Sequence, residues 1–82
     1  MLEKYSLKVT RIFEEEFRKL DMQLKRRIDA AIRALEINPY LGKALKGELL
    51  GKRSLRIGDY RVIYTIDELQ KLLYYITLDI EK

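Results

Sequence analysis

The side chains best suited to chemistry in this 82-residue chain are concentrated in one basic segment. Between Gly42 and Tyr64 the only acids are Glu48 and Asp59. The cations of the segment are Lys43, Lys46, Lys52, Arg53, Arg56 and Arg61. The segment therefore carries a balance of +4, which equals the net charge of the whole chain. Clustering of this kind indicates an anionic partner more strongly than a generally basic composition does.

Two of these arginines are predicted to face each other across a hairpin. Gly58 and Asp59 lie between two alternating apolar runs, which predicts a two-residue turn joining antiparallel strands. In that register Arg56 lies directly opposite Arg61, and like charges in such a pair cost up to about 1 kcal/mol. Facing arginines are favourable where an anion such as a phosphate binds between them.

A solvated sheet face is the alternative interpretation of the same residues. Arginines are common on such faces, and these could pair with Asp67, Asp79 or the carboxylates of a partner protein. The pattern alone also leaves open whether the anion is a nucleic acid, a metabolite or an acidic protein.

The elements that must position these residues follow the order β-α-α-β-β-β. The predictions are a strand within residues 2–9, helices capped by Thr10 and Asp21, and strands at about Lys52–Ile57, Tyr60–Ile66 and Leu72–Ile80. Pro39 disfavours helix at the preceding residue and ends the second helix. We expect a single α+β domain spanning residues 1–82, an antiparallel sheet of about four strands with both N-terminal helices on one face.

Strand alternation assigns the helices and the arginines to opposite faces of this sheet. The face under the helices is predicted to carry Leu55, Ile57, Tyr60, Val62, Tyr64 and Ile66. The opposite face is predicted to carry Lys52, Ser54, Arg56, Arg61 and Ile63. Tyr74 is expected in the core. Tyr75 has the alternation to reach the arginine face, although a core or rim position is the expectation we favour.

The amino-acid composition excludes several kinds of site. The chain has no cysteine and no histidine, so a disulfide is excluded and a zinc site would need carboxylates alone. We expect no metal and no cofactor. No apolar run approaches the roughly 20 residues of a membrane span, and the N-terminus lacks the apolar region of a signal peptide. A cytoplasmic protein is therefore expected.

Residues 35–67, "LEINPYLGKALKGELLGKRSLRIGDYRVIYTID", resemble the centre of the RelE/ParE superfamily of bacterial and archaeal toxins. The shared features are a proline-glycine stretch, then L-K-G, then R-I-G-D-Y-R-V-I-Y, in this order. The resemblance implies a RelE-like fold and a toxin held inactive by a cognate antitoxin. For the RelE branch it implies cleavage of messenger RNA on the ribosome, and for the ParE branch inhibition of DNA gyrase.

The resemblance also implies roles for single residues. Arg61 follows the G-x-Y of the family and matches the arginine that contacts the scissile phosphate in RelE-like nucleases. Lys52 matches a lysine implicated in the acid and base steps, and Arg56 matches a basic position on the same strand. Lys46, in L-K-G, matches a residue that holds the RNA backbone. Lys43 and Arg53 are expected to add to RNA binding.

The sequence departs from the family pattern at two places. Ser54 stands where a ribosome-dependent member has a second lysine. Many RelE-like nucleases also continue past the last strand with an arginine and later a tyrosine, whereas Glu81 lies near the arginine position here. These departures keep two alternatives open, a non-enzymatic toxin acting on gyrase and a catalytically inactive relative that binds an antitoxin.

The chemistry of such a nuclease can be stated from its residues. RNA cleavage through the 2′-hydroxyl needs a proton acceptor, a donor for the leaving 5′ oxygen, and cations for the charge that develops at phosphorus. Arg56 and Arg61 suit the last role, because preorganised guanidinium groups stabilise developing charge. Lys52 could be the base only if it gives up its proton near neutral pH.

Overall fold

The computed structural model describes residues 4–80, which form five strands, two helices and two short 3₁₀ turns. The strands are β1 (Ser6–Val9), β2 (Lys43–Ala44), β3 (Arg53–Ile57), β4 (Tyr60–Asp67) and β5 (Leu72–Ile80). The helices are α1 (Arg11–Arg18) and α2 (Met22–Ile37), and the 3₁₀ turns are Pro39–Leu41 and Gly47–Leu49. The α+β class and the positions of the last three strands agree with the sequence prediction.

The sheet has the strand order β1-β5-β4-β3-β2 and is mixed. The pairs β2–β3, β3–β4 and β4–β5 are antiparallel, whereas β1 runs parallel to β5. The prediction of an antiparallel sheet is therefore wrong at β1, because this pairing joins distant segments and no local turn reports it. The sheet also contains one strand, β2, that the sequence did not predict. It is two residues long, which is too short for an alternating pattern to reveal it.

Local sequence signals set the helix ends as predicted. The side chain of Thr10 accepts a hydrogen bond from the backbone N–H of Phe13 at 3.1 Å, and that of Asp21 accepts from Leu24 at 2.8 Å. Each bond satisfies one of the free N–H groups in a helical first turn. The second helix ends at Ile37, and its C-cap residue Asn38 directly precedes Pro39.

The core lies between the helices and one face of the sheet. Its buried members are Phe13, Ile28, Ile32, Leu35, Val62, Tyr64, Leu73, Tyr75 and Leu78. Leu55, Ile57 and Ile66 pack against this cluster from the same face. Both helices therefore cover the face that strand alternation assigned to them, which leaves Arg56 and Arg61 on the other.

A β-bulge in β5 changes the alternation of that strand. Tyr64 pairs with Tyr75, but the preceding residue Ile63 pairs with Thr77, so Ile76 is extra. Tyr75 is completely buried and packs on the rings of Phe13 and Tyr64, as the core interpretation predicts. The expectation that Tyr74 lies in the core is wrong, because the bulge assigns the odd-numbered Tyr75 to the core and leaves Tyr74 37% exposed.

Two further findings concern residues 4–80. No helix among them is long and apolar enough to cross a membrane. Nor do three or more His, Cys, Asp or Glu side chains within this range gather in a group able to hold a metal ion.

Candidate functional site

The β3–β4 hairpin has the predicted register. Leu55 pairs with Val62, Arg56 with Arg61, and Ile57 with Tyr60 around the turn at Gly58. The φ angle of Gly58 is +60°, in the left-handed region that glycine adopts at least cost. The two arginines are therefore brought face to face by a short local element.

A third charged residue extends this pair across the sheet. Arg61 pairs with Asp79 of β5, so Arg56, Arg61 and Asp79 form one row over three adjacent strands. The side-chain nitrogen Nη2 of Arg61 lies 3.8 Å from Oδ2 of Asp79. We name these three residues the charged row. The interpretation in which Asp79 pairs with an arginine is thus seen in the structure.

The guanidinium of Arg61 contacts Asp79, but one of its N–H donors has no acceptor in the described part of the chain. Its side chain is 32% exposed. Its Nε atom is buried and makes no hydrogen bond to any residue in the described part of the chain. A buried donor without an acceptor costs free energy, and an anion that accepts from it would recover that cost. The Nε of Arg53 is buried without an acceptor in the same way, so this feature by itself does not distinguish Arg61 from Arg53.

Arg56 is fixed from the turn. Its Nε donates to the carbonyl oxygen of Gly58 at 3.0 Å, which bends the side chain back over the hairpin loop. The residue is exposed. One guanidinium nitrogen is thus used to orient the group, in a position that solvent and ligands can reach.

A cleft of about 440 Å³ lies beside the two arginines, and we name it the arginine cleft. Its lining residues are Leu41, Lys43, Leu45, Ser54, Leu55, Arg56 and Arg61. Lys43 enters this group because β2 pairs it with Ser54. Three of the six predicted cations are therefore brought together, and the described lining contains no acid.

Arg53 lies elsewhere and has partners within the chain. It pairs with Tyr64 on the core side of the sheet. Its Nη2 donates to the carbonyl oxygen of Gly42 at 2.6 Å, and its guanidinium lies 5.1 Å from the ring centre of Tyr40. These contacts anchor the 3₁₀ turn that precedes β2. The RNA contact predicted for Arg53 stays a prediction. The side chain of Arg53 already contacts Gly42 and Tyr40 within the protein.

Lys52 and Lys46 do not line the arginine cleft. Lys52 is half-buried and lines a second cleft of about 280 Å³, together with Tyr40, Leu50 and Glu68 among others. Its backbone is fixed by bonds to Leu49 and Leu45. Lys46 is exposed at the start of the second 3₁₀ turn. Their predicted roles in catalysis and RNA binding therefore stay predictions.

Sequence reasoning missed a cluster around Glu68. Its carboxylate accepts from the hydroxyl of Tyr5 at 2.7 Å, from the hydroxyl of Tyr40, and from Nζ of Lys71 at 3.1 Å. These hydrogen bonds, with that of Tyr40 the strongest, lower the pKa of Glu68 to about 2. The same bonds to Glu68 raise the pKa of Tyr5 and of Tyr40. No local spacing signals a contact between residues so far apart in the chain.

The buried tyrosines belong to the frame of the site. The hydroxyl of Tyr64 donates to the carbonyl of Pro39 at 2.6 Å and accepts from the backbone N–H of Gly42 at 3.1 Å. Burial raises the pKa of Tyr64, and burial together with nearby Glu36 raises that of Tyr75. Both therefore stay protonated at neutral pH, and they position the strands that carry the arginines.

Comparison with protein families gives one match over most of the chain. A family model described as "ParE toxin of type II toxin-antitoxin system, parDE" matches residues 4–77. A search of curated protein sequences found no match.

Comparison with solved structures gives close agreement in fold. The RelBE2 toxin–antitoxin complex from Mycobacterium tuberculosis contains a chain with a TM-score of 0.88 and 25% identity, over 99% of this chain and 95% of that one. The isolated RelE toxin of E. coli matches with a TM-score of 0.82 and 15% identity, over 95% and 85%. The archaeal RelE–RelB complex from Pyrococcus horikoshii matches with a TM-score of 0.78 and 24% identity, over 94% of each chain.

Proposed function

Because this chain belongs to the ParE toxin family of type II toxin–antitoxin systems, we propose that it is a ribosome-dependent endoribonuclease that cleaves messenger RNA and thereby inhibits translation. The observation that carries this proposal is the facing pair Arg56 and Arg61, which lies beside a cleft lined by Lys43. Its proposed place of action is the cytoplasm, where ribosomes and messages meet.

The arginine pair supports binding of a phosphodiester. Guanidinium groups bind phosphate oxygens through two parallel N–H donors and keep their charge at every working pH. The side chain of Arg61 is 32% exposed, and Arg56 is oriented by the carbonyl of Gly58. A phosphate between them would offset the repulsion of two like charges that face each other.

The same geometry supports stabilisation of a transition state. When the 2′-hydroxyl oxygen of RNA attacks the adjacent phosphorus, negative charge builds on the phosphoryl oxygens. Donors fixed by the hairpin are aimed at that charge before the reaction begins and need no reorganisation. Lys52 is proposed to take part in the proton-transfer steps, and Lys43, Lys46 and Arg53 in binding the RNA backbone.

A cognate antitoxin is the proposed resting partner. Among the similar structures, the one from Mycobacterium tuberculosis is a RelBE2 toxin–antitoxin complex and the one from Pyrococcus horikoshii is a RelE–RelB complex. A cluster of cations on an exposed face attracts an acidic or polar segment. We propose that an antitoxin segment covers the arginine cleft, so that binding of the complex weakens as salt rises.

Action on DNA gyrase is the second candidate function. It is favoured by the family match, which is to ParE toxins, and by the acidic residue Glu81 near the position of the late arginine of RelE-like nucleases. A catalytically inactive relative that binds an antitoxin would share the same fold.

Translation of a defined message on ribosomes, with primer extension to map cuts, separates these candidates. We expect wild-type protein to cut the message, and we expect resistance when hydrogen replaces the 2′-hydroxyl at the cleavage position. Growth arrest that depends on Arg61 without any cut in a message would contradict the nuclease proposal and favour gyrase.

A further inference from the structure

Asp79 is the one acid of the charged row. It lies directly across from Arg61, its Oδ2 atom is 3.8 Å from Nη2 of Arg61, and its side chain is 48% exposed. It is therefore within reach of a substrate that Arg61 binds.

The β5 bulge is what brings Asp79 to this face. With Tyr64 opposite Tyr75 and no extra residue, Leu78 would lie opposite Arg61 and Thr77 would enter the core. The extra residue Ile76 restores the pairs Val62–Leu78 and Arg61–Asp79. Bulges often redirect a side chain near a functional site. Leu78 is consequently 3% exposed in the core, while Asp79 pairs with Arg61 and lies beside its side chain.

A carboxylate at this place pairs with Arg61, but it also opposes phosphate binding. Negative charge beside a bound phosphate is repulsive. A cleavage that begins at a 2′-hydroxyl, however, requires a group that accepts its proton. The arginine cleft offers cations, Ser54 and apolar groups among its described lining, which includes neither Lys52 nor Asp79. Asp79, however, is linked to this lining through its contact with Arg61. A carboxylate is unprotonated at neutral pH and accepts a proton without prior activation.

We propose that Asp79 is a catalytic residue whose carboxylate accepts the proton of the attacking 2′-hydroxyl. This inference rests on the proposed nuclease function. The 2′ O–H bond breaks as its proton passes to Asp79, and the 2′ oxygen forms a bond to phosphorus. The bond from phosphorus to the 5′ oxygen then breaks, and that oxygen takes a proton from water or from an ammonium group. The products are a 2′,3′-cyclic phosphate and a free 5′-hydroxyl.

The contact with Arg61 gives Asp79 its position. Arg61 bridges the carboxylate on one side and the phosphate on the other, so the base and the reacting phosphorus share one anchor. Other titratable groups near Asp79 are Glu16 and Lys19 of α1 and Tyr60 of β4, which line a groove of about 380 Å³ with it. Glu16 is engaged with β5 itself, since its Oε1 accepts from the hydroxyl of Thr77 at 2.8 Å.

The test is single-turnover cleavage of a defined message on ribosomes by wild type, Asp79→Asn, Asp79→Glu and Asp29→Asn. Asparagine keeps the shape of aspartate but accepts no proton, so we expect a loss of roughly 10²–10⁴-fold. Asp79→Glu should restore part of the rate. Asp29→Asn makes the same charge change on the exposed side of α2, where Asp29 pairs with Arg33, and should cleave like wild type.

The pH dependence of the wild-type rate gives a second readout that needs no variant. Between pH 6 and 9 a carboxylate base is already unprotonated, so the rate should stay flat, whereas a lysine base would give a rise approaching tenfold per pH unit. Circular dichroism and antitoxin binding check that Asp79→Asn is folded.

Three other outcomes would each contradict the inference. Equal or faster cleavage by Asp79→Asn would mean that Asp79 only competes with phosphate for Arg61. A rate that rises with pH would assign the base to a lysine. Absence of cleavage by the wild type would remove the nuclease function itself, and the inference with it.

Discussion

Lys52, like Asp79, is a residue whose proposed chemistry depends on transfer of a proton. It lines the second cleft beside Arg53 and Glu68, and its backbone is fixed on both sides by bonds to Leu49 and Leu45. A fixed backbone with a half-buried side chain suits a group that must be placed reproducibly. Substitution by arginine separates two possible roles of Lys52, because arginine keeps the positive charge but does not release a proton at any working pH.

We expect Lys52→Ala to lower single-turnover cleavage by roughly 10²–10⁴-fold, and Lys52→Arg to restore little of it. Lys8→Ala, an exposed lysine of β1, is the control and should cleave at the wild-type rate. Recovery of most of the rate by Lys52→Arg would show that only the positive charge matters. The measurement is the rate of cutting of one message by excess toxin bound to ribosomes.

At the scale of elements, the chain between α2 and β2 determines the shape of the arginine cleft. Leu41 and Lys43 line the cleft from either side of Gly42. Gly42 itself is buried against the hydroxyl of Tyr64, which accepts its backbone N–H at 3.1 Å. This contact ties the loop that carries Lys43 to the strand that carries Arg61.

Gly42→Ala is expected to lower the free energy of unfolding by about 1–3 kcal/mol, the range for overpacking. A Cβ atom at this position would lie 2.4 Å from the Tyr64 hydroxyl and 2.8 Å from the backbone oxygen of Ser54, so something must shift. Urea denaturation measures the change. Unchanged stability would mean that the loop moves freely relative to β4, against the contacts described.

The elements that local rules govern are those that sequence reasoning predicted. The two-residue turn at Gly58 and Asp59 fixes the register that brings Arg56 opposite Arg61. The caps Thr10 and Asp21 likewise act within three residues. The bulge at Ile76 depends on how β5 packs against β4 and α1, and no spacing in the sequence reports it. The core position expected for Tyr74 is therefore wrong, whereas the core position favoured for Tyr75 is confirmed.

At the scale of the whole molecule, Glu68 joins segments that are far apart in the chain. It follows β4, and its carboxylate holds Tyr5 from the N-terminal side and Tyr40 from the turn after α2. The backbone N–H of Tyr5 also donates to the carbonyl of Glu36 at 3.0 Å. These contacts lie at the end of the sheet away from the β3–β4 turn. The contacts of Glu68 could not be predicted from the sequence, because no local pattern distinguishes Glu68, Tyr5 or Tyr40 from residues that face solvent without such contacts.

Lowering the pH should weaken the contacts of Glu68 with Tyr5 and Tyr40 over a defined pH range. The pKa of Glu68 is about 2 in the folded protein, below its ordinary value of 4.5. A carboxylate with a lowered folded-state pKa stabilises the fold fully above the ordinary value, and that contribution is lost as pH falls from about 4.5 towards 2.

We therefore expect Glu68→Gln to be less stable than wild type at pH 6, with the difference shrinking as pH falls below 4.5. Thermal unfolding at several pH values measures it. Glu14→Gln is the control, since it removes an exposed carboxylate that pairs only within α1 with Arg18. A stability difference that is the same at pH 6 and at pH 2.5 would contradict the role assigned to the ionised group.

The decisive measurement is single-turnover cleavage of a defined message on ribosomes by wild type, Arg61→Ala and Arg33→Ala. Arg61 lies on the sheet face opposite the helices, so alanine should leave the fold intact while removing a phosphate contact. We predict that Arg61→Ala cuts at least roughly 10²–10³-fold more slowly than wild type. Arg33→Ala, on the exposed side of α2, should cut normally. Cleavage by Arg61→Ala at the wild-type rate would contradict the assignment of the facing arginines to the scissile phosphate.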